Sequence, residues 1–199
     1  MRLVLLVSTL VTINVTATPS AAQSADPNVD ACINKSGDEA IAGCTAAIKS
    51  SRLSTADLAV MFYDRGVEYG NRKDYDRALS DYSEAIRLNP KDPNPFAGRG
   101  NIYRIQKDYA RAIADNDEAI RLNPNYALAF NNRGNIYRLQ KDFRRAIADY
   151  DEAIRINPKY ALALYGRGLA KAELGQIVGG KADVARALAI DPHIDQRFK

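Results

Sequence analysis

The chain has 199 residues, enough for one or two domains, and its 46% hydrophobic, 26% charged composition without tryptophan is that of an ordinary soluble globular protein. Its formal net charge of +4 is modest, with acidic and basic residues interleaved along most of the chain. That mixture marks solvated faces and argues against a nucleic-acid footprint, which would gather basic residues on one surface.

Residues 1–22 read as a targeting segment: Arg2 supplies a short basic start, Leu3 to Leu10 an apolar run, and Ser20-Ala21-Ala22 a small-residue cleavage site. The expectation is a secretory signal peptide and a periplasmic or secreted protein. A membrane-spanning helix would need about 20 apolar residues. Asn14, the threonines and Pro19 interrupt the run first, so no stable membrane insertion is expected. A lipid anchor on Cys32 is disfavoured by the Val29-Asp30-Ala31 before it and by its distance from the apolar run.

Residues 23–54 hold both cysteines, Cys32 and Cys44. In an oxidising compartment these can pair; the alternative is two unpaired small hydrophobes. Glu39 to Ile48 reads in register with Arg77 to Ile86, which predicts a truncated helical hairpin over 28–50. Cys32 would lie on its first helix, Gly37-Asp38 in its turn and Cys44 on its second, and a disulfide would add about 3 kcal/mol by the chain-entropy estimate. Two cysteines and the distant His193 cannot make a four-ligand zinc site, so no metal is expected.

Residues 55–192 are organised by a strict period. After a loop at Ser50 to Thr55, where Ser54 or Thr55 is suited to cap a helix, Arg-Gly recurs every 34 residues at Arg65-Gly66, Arg99-Gly100, Arg133-Gly134 and Arg167-Gly168. An aromatic or Leu stands four before each glycine (Phe62, Phe96, Phe130, Leu164), and Tyr three after in the first three units (Tyr69, Tyr103, Tyr137). Ala stands nineteen after (Ala85, Ala119, Ala153, Ala187), and Pro90, Pro124, Pro158 and Pro192 close the units. The pattern resembles the tetratricopeptide repeat, a 34-residue pair of antiparallel helices. The resemblance implies an all-α, right-handed superhelical solenoid with repeats at 59–92, 93–126, 127–160 and 161–194, followed by a C-terminal tail at 193–199.

Within each unit a first helix, such as Asp57 to Arg72, should be followed by a tight turn at Lys73-Asp74, Lys107-Asp108 or Lys141-Asp142, with Asp capping the second helix. Lys stands where the family usually has Gly, found here only as Gly175, so these turns carry strain if the residue takes positive φ. Gly66, Gly100, Gly134 and Gly168, with Ala78, Ala112 and Ala146, are read as structural, letting the two helices approach closely. Asn89, Asn123, Asn157 and Asp191 end the second helices, Asn being tolerant of a left-handed turn. Arg65 with Asp81, Arg99 with Asp115, Arg133 with Asp149 and Arg167 with Asp183 predict a ladder of partly buried ion pairs, or alternatively solvated charges that never meet. The last unit departs most, with Lys171, Gly180 and Val184 in place of Tyr, Ala and an aromatic. His193 to Lys199 is too short for a capping helix, which makes self-association through that end an expectation.

In the family the first helices line the concave wall. Helical spacing places Tyr63, Val67 and Gly70 on one stripe, then Ala97, Asn101 and Arg104, then Asn131, Asn135 and Arg138, then Tyr165, Leu169 and Ala172. Whether Asn131 or Asn132 points inward is open at this stage. The expected partner-binding residues are Tyr63, Asn101, Arg104, Asn131, Asn135, Arg138 and Tyr165. Asn can bond an extended backbone and Arg a carboxylate, so a peptide or acidic tail fits. Asn101 and Asn135 fall where the carboxylate clamp of some family members has asparagines, but the lysines it needs are absent, Asn94 and Leu128 standing about one turn before, so clamp-type chaperone binding is not expected.

No phosphate-cradling glycine loop, metal-ligand cluster or nucleophile beside a base is present. The expectation is a non-catalytic, exported scaffold for a protein or peptide partner, without cofactor or small-molecule substrate. An alternative is a binder of nucleic acid or envelope glycan through Arg104, Arg138, Arg144 and Arg145. An enzyme using Asp115, Asp117 and Glu118 is the remaining reading.

Overall fold

The computed structural model describes residues 26–50 and 52–198; the expected signal peptide lies outside them. Ten α-helices and a closing 3-10 turn make up the regular structure of the described residues, which contain no strand. They run as antiparallel pairs: α1 (Pro27–Asn34) with α2 (Gly37–Lys49), α3 (Thr55–Asn71) with α4 (Tyr75–Leu88), and α5 (Pro93–Ile105) with α6 (Tyr109–Leu122). Then follow α7 (Ala127–Leu139) with α8 (Phe143–Ile156), and α9 (Ala161–Glu173) with α10 (Ile177–Ile190). No described helix is long and apolar enough to cross a membrane.

Local chemistry sets the helix boundaries. Ser54, and not Thr55, caps α3 by accepting from the Asp57 amide. Asp74, Asp108 and Asp142 cap the second helices, each accepting from the backbone N–H three residues on. The residues before them are left-handed: Lys73, Lys107 and Lys141 have φ of 61°, 63° and 60°, and Gly175 of 76°. Three lysines thus occupy a conformation that suits glycine.

The C-terminal ends of the second helices differ from the left-handed turn expected. Asn89, Asn123, Asn157 and Asp191 are extended, with φ near −135°, because a following proline forces the preceding residue out of the helical region. Their side chains instead accept the backbone N–H two residues on, at Lys91, Asn125, Lys159 and His193.

The N-terminal hairpin turns one residue pair earlier than expected, at Lys35-Ser36, with Gly37 (φ 68°) opening α2. A disulfide joins Cys32 to Cys44, with Cα atoms 4.5 Å apart. A Cβ on Gly43 would lie 2.8 Å from the Cys32 amide nitrogen, so the absent side chain lets α1 and α2 close on each other beside it.

Close approach governs the later pairs too. A Cβ on Gly100 would stand 3.2 Å from the Ala112 carbonyl, and one on Gly134 3.3 Å from that of Ala146. In the last pair Gly168 and Gly180 face each other backbone to backbone, so Gly180 is a packing residue as well as a weak helix former. Between pairs, tyrosine and glycine alternate. Tyr82 is wedged between Gly66 and Gly98, and Tyr150 between Gly134 and Gly166; in the middle repeat Asn116 fills the tyrosine place and Asn132 the glycine place.

Successive first helices touch, α3 with α5, α5 with α7 and α7 with α9. Second helices of successive pairs do not touch one another among the described residues. The stack is therefore shorter along its first helices, which form the inner wall. At its C-terminal end the tail does more than expected: Ile194–Phe198 forms a 3-10 turn against α9 and α10, with Ile194 fully buried. Ile194 follows Tyr160 by one period and so stands in the column of the residue that precedes α9. Ile177, Val178, Leu188 and Ile190 of α10 stay exposed.

Candidate functional site

The four recurrent arginines are occupied by the scaffold. Each holds the Asp sixteen residues on through Nε and Nη2, at 2.6–2.9 Å, in two-point contact. Each also reaches back through Nη1 to the preceding helix pair, at Thr45, Ser83, Asp117 and Asp151 respectively. Thr45 plays the part of Ser83 from 38 residues before it instead of 34, so the N-terminal hairpin stacks as a repeat does, behind a connection four residues longer. Lys171 joins the last of these pairs, its Nζ 2.8 Å from Asp183. Of the carboxylates considered for catalysis, Asp115 is held by Arg99, Asp117 by Arg133 and Glu118 by Arg121. No group of three metal-binding side chains exists among the described residues.

The inner wall is uneven. In its middle, Arg104 donates through Nε and Nη2 to Asn101 Oδ1 (3.1 and 2.9 Å). Burial holds its guanidinium below the usual range, and the charge of Arg138 acts in the same direction. One repeat on, Asn135 accepts from the Tyr150 hydroxyl (2.8 Å), which also bonds Arg138. Burial pushes the Tyr150 phenol up to about 12. Asn131 is only 3% exposed and its Oδ1 has no hydrogen-bond partner; Asn132 is buried as well. Asn131 belongs to the stripe of Asn135 and Arg138, while Asn132 occupies the column that packs on the preceding second helix.

Toward the N-terminal end the wall becomes aromatic and acidic. Tyr63 packs on Tyr82 with ring centroids 6.0 Å apart, and burial pushes its phenol up to about 12. Beside it, burial pushes the Asp64 carboxyl up to about 7, with Glu68 and Asp92 adding to the effect. Glu68 accepts from the Gly37 amide of the N-terminal hairpin, and Tyr126 donates to Asn94 Oδ1. Toward the C-terminal end the wall is apolar: Leu128 is exposed, and Leu162, Tyr165 and Leu169 are half-buried.

Of the residues expected at the groove, the structure brings Asn101 to Arg104, and Asn135 to Arg138 through Tyr150. Arg104 and Arg138 come close enough to feel each other's charge. Tyr63 lies at the acidic end, and Tyr165 packs on the core of the last repeats. Sequence reasoning missed Asp64, Asn116 and Tyr150. The column Asp64, Gly98, Asn132, Gly166 would have exposed the first, as the one ionisable side chain among small or amide ones. Arg145, proposed for polyanion binding, is held by Asp142 and stacked on Tyr137.

The geometry matches known proteins in architecture. The family model described as tetratricopeptide repeat matches residues 59–92 and 127–160, and one described as TPR repeat matches 100–141. None of the curated proteins matches at a significant level. Among solved structures, the chain is similar to the crystal structure of MamA, with TM-score 0.65 and 21% identity over 80% of this chain and 91% of that one. It is similar to MamA 41-end from Desulfovibrio magneticus RS-1, with TM-score 0.61 and 25% identity over 70% of this chain and 79% of that one. The first TPR of Spaghetti (RPAP3), solved bound to the HSP90 peptide SRMEEVD, gives TM-score 0.57 and 24% identity over 59% of this chain and 93% of that one. With every pair of repeats stacked as the 34-residue period requires, the chain belongs to the tetratricopeptide repeat family.

Proposed function

We propose that this protein is a non-catalytic scaffold whose inner wall binds an extended segment of a partner protein. The observation that carries the reading is the amide and arginine cluster of Asn101, Arg104, Asn131, Asn135 and Arg138. Asn101 braces Arg104, and Tyr150 braces Asn135 and Arg138, whereas the recurrent arginines are spent on structural pairs. A preset polar surface costs a ligand less ordering entropy than a floppy one. The RPAP3 neighbour, which holds a peptide, shows that a stack of this kind can do so.

A peptide-display selection against wild type, beside a variant with Asn101, Arg104, Asn135 and Arg138 all replaced by Ala, tests this. Sequences enriched by wild type and lost with the variant support it; identical enrichment by both removes the groove from consideration. Polyanion binding predicts a different result, capture of heparin or DNA that weakens steeply with salt.

Export is part of the same reading. It rests on the leader-like residues 1–22 and on the Cys32–Cys44 disulfide, a bond that persists in oxidising compartments. Cell fractionation with alkylation of free thiols decides it: a cytosolic protein with two alkylated cysteines would refute export. Self-association is proposed for the exposed α10 face, and sedimentation that shows only monomer at high concentration would dismiss it.

A further inference from the structure

The charges of the inner wall narrow the chemistry of its ligand. Each arginine at a recurrent Arg-Gly position is neutralised by an Asp of its own repeat. Arg104 is not: it bonds the neutral Asn101 amide and makes no ion pair among the described residues. Arg138 occupies the same place one repeat on, and its charge disfavours that of Arg104. Two half-buried guanidiniums on adjacent helices repel each other, and an anion set against both removes that repulsion.

The amides beside this pair, Asn101 and Asn135, are neutral, so the charge that answers both guanidiniums comes from a ligand. A peptide carrying Asp or Glu supplies it through its side chain.

The wall continues past this point on both sides, so the carboxylate it holds need not be a chain end. Toward α9 the ligand meets Leu128, Leu162 and Leu169. Toward α3 it meets Glu68 and Asp92, joined above about pH 7 by the Asp64 carboxylate, and these repel any further carboxylate.

Building on the groove-binding reading, we propose that the wall selects an internal protein segment with one acidic side chain set against Arg104 and Arg138. An apolar residue lies on its α9 side and no carboxylate on its α3 side. The acidic residue supplies the anchor, the leucine wall adds apolar burial, and the α3 end excludes acidic runs.

Fluorescence anisotropy with capped, amidated Ser/Gly nonapeptides tests this on the full chain. One set carries a central Glu with two Leu on either its N-terminal or its C-terminal side; a second has Gln for Glu; a third adds two Glu opposite the Leu pair. One Glu–Leu order should bind at least about tenfold more tightly than its Gln counterpart. Arg104→Gln with Arg138→Gln should erase that preference, its helical content being checked by circular dichroism. The added Glu should weaken binding, and Asp64→Asn should recover part of the loss. Equal binding of the Glu and Gln peptides would overturn the proposal and leave the groove reading standing. Failure of every peptide to bind at about 1 mM, a threshold of millimolar affinity, would count against both.

Discussion

Arg133 grips Asp149 at two points, Nε to Oδ2 at 2.9 Å and Nη2 to Oδ1 at 2.7 Å, while its Nη1 reaches Asp117 of the preceding repeat. One side chain therefore ties the first helix of a repeat to its own second helix and to the one before. The same arrangement at Arg65, Arg99 and Arg167 makes the ladder a coupling between repeats as well as within them. In a stacked array stability is the sum of repeat and nearest-neighbour terms, and this residue contributes to both.

Arg133→Met should cost about 2–4 kcal/mol, because it leaves the Asp149 carboxylate buried without its partner. Replacing both, Arg133→Met with Asp149→Leu, should cost much less. Urea unfolding of the two variants provides the comparison. Equal losses would mean that the carboxylate is stable unpaired.

The left-handed lysines predict the opposite sign. Changing Lys73, Lys107 or Lys141 to Gly should each stabilise by about 0.5–1 kcal/mol, since glycine adopts that φ without the steric penalty of a Cβ. Gly175→Lys is the control: nothing lies within 4 Å of a Cβ there, so backbone conformation alone should make it destabilising. Thermal unfolding of all four variants reads the effect, and unchanged melting across the set would contradict it.

Asp64 gives a pH dependence. Burial, with Glu68 and Asp92, pushes its carboxyl to about 7 from an ordinary 3.8, so the folded chain holds more protons than the unfolded one between those values. Its contribution to stability falls as pH rises through that window, and the deficit is constant above it. Asp64→Asn should melt a few degrees above wild type at pH 8. Below about pH 3, where both folded and unfolded carboxyls are protonated, the difference should vanish. Equal differences at the two pH values would show that the group titrates normally.

Removing the disulfide should loosen one end first. Cys32→Ala with Cys44→Ala opens a short loop and should cost about 3 kcal/mol by the chain-entropy estimate. Hydrogen exchange should accelerate in α1 and α2 well before α7 and α8. Uniform acceleration would instead mean that the stack unfolds as one unit.

The Asn of each Asn-Pro step shows where reading from residue types went astray. Its tolerance of positive φ suggested a left-handed helix end, yet the following proline excludes the helical region and leaves the residue extended. The left-handed residue is the lysine between the helices, where a recurring Lys-Asp hid a position that Gly175 reveals only in the last repeat. At the groove, Asn101, Arg104, Asn135 and Arg138 were legible from helical spacing, because residues three and four apart share a face. Asp64 and Tyr150 were not, since their environment is made by a neighbouring repeat.

The sequence by itself determined the architecture: a 34-residue period with small residues at the helix contacts admits one way of burying each pair, against its neighbours. It also determined which charges belong together, since sixteen residues separate Arg from Asp in every repeat. Only the tertiary structure decided which polar groups lose their water, that Asp64 sits among like charges, and that Arg104 and Arg138 share a field. Desolvation and electrostatic coupling depend on distances between helices that are far apart in the chain, and no local pattern encodes those distances.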